Sequence, residues 1–102
     1  MMENREYLNS LFDIYKDLLT KTEQETFAYY YIEDLSLQEI ADNKNISKSS
    51  VGKTLKSAIE KLEEYETILH NYETKTKIEE ILLESDINKI KEKIKVILDP
   101  ET

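Results

Sequence analysis

The chain contains no cysteine. Disulfides, thiolate zinc sites and a cysteine nucleophile are thereby excluded, and the composition suits a reducing compartment. One glycine, Gly52, and one proline, Pro100, leave little turn punctuation. A phosphate-cradling loop needs more glycine than that. So poor a supply of turn residues predicts an all-α protein, with Pro100 expected to end its order. There is one histidine, His70. With neither cysteine nor a second histidine to share a metal, it reads as a solvated helix residue, and no metal or other cofactor is expected. No apolar run is long enough to cross a bilayer and no signal-peptide pattern is present, so the expectation is a cytoplasmic protein without membrane contact. Acid pairs such as Glu63-Glu64 diverge on a helix, and no residue set is arranged to hold a reactive group. The chain is not expected to be an enzyme.

What is present is charge, unevenly placed. The 102 residues suit one small structural domain, and 35% of them are charged, with a net charge of −8. Residues 1–42 carry a net −7 and residues 60–102 a net −5, whereas residues 43–59 contain Lys44, Lys48, Lys53 and Lys56 and no acid, for +4. An acidic chain is a poor general binder of nucleic acid, because Lys and Arg carry phosphate affinity. A local basic island free of acids is a different matter.

The island falls within Ser36 to Ala58, SLQEIADNKNISKSSVGKTLKSA, around which the chain is organised. Ser36 and Glu39 form a capping-box pair. Leu37, Ile40 and Ala41 share one helical face. Asn43-Lys44-Asn45 breaks the pattern, and Ser47 offers a second N-cap. Val51, Leu55 and Ile59 then form the inner face of another helix. Two short capped helices joined by a few polar residues match a helix-turn-helix. Such a unit presents the start of its second helix to the major groove. The expected DNA-facing residues are Lys44, Ser47, Lys48, Ser49, Ser50, Gly52, Lys53, Thr54, Lys56 and Ser57. Lysine reaches guanine acceptors or phosphate, and the hydroxyls read several bases indifferently. No Arg, Asn or Gln is available for bidentate readout.

Amphipathic segments flank this unit. Arg5 to Leu19 carries a wide apolar stripe from Tyr7 to Leu19. Thr22 and Glu25 suggest a capping box for the next helix, which reaches Glu33-Asp34. Of Tyr29, Tyr30 and Tyr31, which point in different directions on a helix, at least one belongs to the core. The helix from Ser47 shows no stop before Tyr72, and Leu62, Tyr65, Leu69 and Tyr72 continue a heptad-like seam. Thr74 or Thr76 is expected to cap a further helix. Ser85-Asp86 breaks it, and Ile87, Ile90, Ile94 and Ile97 form a last stripe. The expected organisation is a helical helix-turn-helix region over 1–72. A helical tail over 73–102 packs on that region or on a dimer partner.

Leu19, Glu23, Phe27, Tyr31, Glu33, the run LSLQEIA from Leu35 to Ala41, Ile46-Ser47-Lys48, Val51, Ala58 and Leu62 resemble the fourth region of bacterial sigma factors. More closely, YLNSLFDIYKDLLT from Tyr7 to Thr20, YYYIEDLSLQEIA from Tyr29 to Ala41 and the acidic stretch Glu63–Glu66 resemble the YlxM family of small bacterial proteins over nearly the full length. The resemblance implies a sigma-like helix-turn-helix bundle with a helical tail, commonly dimeric. It also implies a DNA-binding regulator that regulates or assists the signal recognition particle pathway. The alternative is a non-catalytic adaptor that binds the particle's protein or RNA instead of DNA.

Overall fold

The computed structural model describes residues 4–99, so Pro100 lies outside the described residues. Every regular element among them is helical. Helix α1 spans Arg5–Tyr15 and closes in a 3-10 turn over Lys16–Leu18. Helix α2 spans Lys21–Phe27 and runs into a π-helical turn, Ala28–Ile32. Helix α3 is Leu37–Lys44 and α4 is Lys48–Leu69. Helices α5, Asn71–Leu82, and α6, Ile87–Leu98, complete the order. The chain divides into two compact units, Met1–Leu69 and His70–Thr102.

In the first unit α1, α2 and α3 all pack on α4. The stripe on α1 buries Leu8, Leu11, Phe12 and Tyr15, and α4 answers with Leu55, Ala58, Ile59 and Leu62. Phe12 stacks on Phe27 with ring centroids 4.4 Å apart, and Phe27 on Tyr31 at 4.7 Å. Each large apolar side chain so buried contributes about 1.5–3 kcal/mol. The hydroxyl of Tyr15 donates to buried Glu66 Oε1 at 2.7 Å, tying α1 to α4. Of the three consecutive tyrosines, Tyr31 is buried. Tyr29 and Tyr30 are half-buried against Ile40, Ala41 and Val51. All three therefore serve packing.

The start of α2 departs from expectation. The capping box is Thr20 with Glu23, not Thr22 with Glu25: Thr20 Oγ1 accepts the Glu23 N–H at 3.2 Å, and Glu23 Oε1 accepts the Thr20 N–H at 2.8 Å. The sequence carries two Thr-x-x-Glu pairs two residues apart. The earlier one prevails because it buries Glu23 where Ser57 and Lys61 of α4 can reach it.

The helix expected to run through Tyr72 also differs. It stops at Leu69, and His70 takes a left-handed conformation with φ 53°. The seam is thus cut before Tyr72, which lies on α5. Neither Thr74 nor Thr76 caps that helix: His70 precedes its first residue, and the Thr76 hydroxyl donates to the Tyr72 carbonyl at 3.0 Å.

In the second unit α5 and α6 pack together as a helical hairpin. Asp86 caps α6, its Oδ1 accepting the N–H of Asn88 at 2.9 Å and of Lys89 at 3.4 Å. Glu84 accepts the backbone N–H of both Ser85 and Asp86 at 3.1 Å. The Asp86 N–H and the nearby Lys93 ammonium hold its carboxyl below the usual carboxylate range. Neither helix fully buries a single described residue.

Candidate nucleic-acid interface

The helix-turn-helix is built by three local devices. Ser36 Oγ accepts the Glu39 N–H at 3.1 Å, and Glu39 Oε1 accepts the Ser36 N–H at 3.0 Å, so the expected capping box opens α3. At the other end Asn45 adopts a left-handed conformation with φ 57°. The Ile46 N–H then bonds back to the Ala41 carbonyl at 3.0 Å, the six-to-one closure of a Schellman turn. Ser47 caps α4, its Oγ accepting the Ser50 N–H at 3.0 Å. Asparagine tolerates the left-handed region better than other non-glycine residues, so a turn without glycine is possible here. The two helices are clamped by Ile40, Ala41 and Val51, each at most 1% exposed.

This clamp turns the opposite side of α4 outward. Ser47, Lys48, Ser49, Ser50, Lys53 and Lys56 are exposed, and Gly52 and Thr54 are half-buried. Among the described residues Lys48 and Lys53 take part in no ion pair. Lys56 lies 3.9 Å from Glu60 one turn on, with both side chains mostly exposed, a contact worth little in water. Gly52 has a helical backbone, and a Cβ built on it meets nothing within 4 Å.

Two of the expected DNA-facing residues are engaged inside the unit. Lys44 donates to Glu25 Oε2 at 2.7 Å and stands 5.6 Å from the Tyr29 ring centroid. The Lys44 hydrogen bond and charge hold the Glu25 carboxyl below its ordinary range. The Ser57 hydroxyl donates to Glu23 Oε2 at 2.8 Å. Sequence reading missed the group that holds Ser57. Glu23 is 6% exposed and also receives Lys61 Nζ at 3.0 Å. Burial pushes its carboxyl up, but hydrogen bonds from the Thr20 backbone, Lys61, Ser57 and the Thr20 side chain outweigh burial and bring it to about 2. The Thr-x-x-Glu pair was the available signal for Glu23. Nothing local marked Lys61, 38 residues on.

The residues of the expected seams are divided between the units. Leu62 is fully buried in the first, where it serves the core. Tyr65 is half-buried there, its hydroxyl donating to the Leu18 carbonyl at 3.1 Å. Leu69 is exposed at the end of α4. In the second unit Tyr72, Ile90 and Ile97 are half-buried, whereas Ile87 and Ile94 are exposed.

Two capped helices, a tight left-handed turn and a solvent-facing second helix define a helix-turn-helix protein. A family model described as "Putative helix-turn-helix protein, YlxM / p13 like" matches residues 2–99, and the chain belongs to that family, UPF0122. It is similar to a UPF0122 protein of Shouchella clausii, with 38% identity covering 74% of this chain and 72% of the relative. A UPF0122 protein of Ureaplasma parvum is 44% identical over 72% of this chain and 74% of its own. A "Probable UPF0122 protein" of Mycoplasma mycoides is 43% identical over 88% of this chain and 75% of its own. Among the described residues no helix is long and apolar enough to cross a membrane, and no acid–histidine cluster fit for a metal ion occurs.

Proposed function

We propose that this protein is a non-catalytic, cytoplasmic DNA-binding regulator that lays the first turns of α4 in the major groove. The observation that carries this is the coincidence of a clamped, outward-facing helix start with a basic, acid-free stretch, residues 43–59, of an acidic chain. Lys48, Lys53 and Lys56 supply phosphate or guanine contacts, and Ser49, Ser50 and Thr54 adapt to several bases. Binding is weak and sequence-tolerant, since no bidentate reader stands on this face. Two copies act together through the α5–α6 hairpin, whose exposed Ile87 and Ile94 and half-buried Ile90 and Ile97 supply an apolar surface. Such a pair needs its recognition helices about 34 Å apart to meet successive major grooves.

The test is retention of the protein's own genomic fragments in a gel-shift series at low salt. Lys53→Glu and Lys56→Glu are expected to abolish retention, whereas no retention by the wild type would overturn the reading. A second reading is an adaptor for the signal recognition particle. It is favoured by the net charge of −8 and by the engagement of Lys44 with Glu25, which thins the basic island. Capture of the particle's protein or RNA, lost on mutating the basic helix, would support it, and recovery of neither would count against it.

A further inference from the structure

Beside the recognition face, on the flank of α4 that packs against α2, lies a shallow cleft lined by Thr20, Thr22, Glu23, Lys53, Thr54 and Ser57. Lys53 belongs at once to this cleft and to the outward face of α4. Thr22 is exposed on its far wall, and Thr54 forms its near wall. The one acid in the cleft is already matched, because Lys61 stands 2.9 Å from Glu23 and the Ser57 hydroxyl points at it. The cleft therefore offers an unpaired ammonium and two hydroxyls at a solvent-open edge. Donors of this kind fix the register of a nucleic-acid backbone without reading its sequence.

We propose that a DNA backbone phosphate bordering the major groove seats in this cleft, held by Lys53 and by the hydroxyls of Thr22 and Thr54. The interface then extends off the recognition helix onto the start of α2. This rests on the DNA-binding reading above and adds to it a second wall contributed by a different helix. Lys53 faces that phosphate, and Lys48, five residues earlier and so roughly 140° round α4, faces the other strand. The helix is thus gripped from both sides of the groove.

The experiment measures affinity of the full chain for a random-sequence DNA duplex by fluorescence anisotropy across a salt series. Thr22→Glu is the decisive variant. An acid in the first turn of a helix suits its dipole, so folding, followed by circular dichroism, is expected to hold while the new charge repels phosphate. Thr22→Glu is expected to weaken binding about tenfold, and Lys53→Ala to lower the salt slope by about one. Thr22→Val, which removes only the hydroxyl, is expected to weaken binding about threefold and serves if the glutamate variant does not fold. Lys75→Glu on α5, with a charge change of the same sign, is the control. Wild-type affinity in both Thr22 variants, with the salt slope still lowered by Lys53→Ala, would overturn the cleft while leaving the recognition helix in place. Equal loss in the Lys75 control would reduce the effect to net charge and overturn it as well. No binding by the wild type would remove both readings.

Discussion

Replacing Gly52 by alanine is expected to stabilise this protein and to separate its stability from its binding. Gly52 sits in the second turn of α4 with an ordinary helical backbone, so its left-handed freedom is unused. A Cβ there meets nothing within 4 Å, so no packing cost opposes the change. What remains is the intrinsic difference between Gly and Ala in a helix interior, about 1 kcal/mol, arising mostly from the greater freedom of glycine in the unfolded chain. For a chain of this size a gain of that order raises Tm by about 4–8 °C. Thermal unfolding followed by the helical circular-dichroism signal measures it directly. An unchanged or lowered Tm would refute the reasoning, because it would mean that the site is not open or that α4 is not helical there. The companion variant Gly52→Leu is expected to keep much of the gain while projecting a bulky side chain from the recognition face. DNA affinity is then expected to fall as stability rises.

Other perturbations probe the supports of the site. Glu23 titrates at about 2 when folded, against an ordinary value of 4.5. Its stabilisation is therefore fully present above about pH 4.5 and is lost as pH falls toward 2. On the order of 2 kcal/mol is at stake once screening is allowed for, and urea unfolding of Glu23→Gln is expected to show a flatter acid limb than the wild type. Ile40→Ala empties the clamp between α3 and α4 and is expected to cost about 2–5 kcal/mol in chemical denaturation. Ser36→Ala removes the cap of α3 at a cost of about 1 kcal/mol, measured in the same way. Tyr15→Phe removes a donor from buried Glu66 and is expected to cost about 1–3 kcal/mol. A smaller effect would show that another group takes over the carboxylate.

The helix-turn-helix was legible because its signals are local. Ser36 with Glu39, the polar break at Asn43–Asn45 and Ser47 each act within four residues, and the structure uses all of them. The apolar faces read as Leu37, Ile40 and Ala41 and as Val51, Leu55 and Ile59 likewise contain the three residues that meet in the clamp. The misplaced start of α2 shows the limit of local signals. Two equivalent Thr-x-x-Glu pairs compete, and the choice is made by Ser57 and Lys61, more than thirty residues away. The break at His70 carries no glycine or proline to announce it, and the heptad spacing runs across it undisturbed. In the site itself, charge and residue type singled out the lysines of α4. They did not reveal that Lys44 turns inward to Glu25 and Tyr29, or that α2 contributes a wall beside Lys53. Side-chain direction and partners distant in sequence decide those points.

The α5–α6 hairpin has a consequence in time as well as in space. Leu11, Phe27 and Leu62 sit in a closed core, and the amides near them are expected to exchange their hydrogens only through opening on the scale of global unfolding. Those of α5 and α6 have no fully buried side chain above them, so the hairpin is expected to open at little cost and its amides to exchange early. A second copy covering the same apolar residues would slow that exchange in proportion to its occupancy. The clock on these twenty-odd amides would then run with protein concentration, while the clock on the core would not.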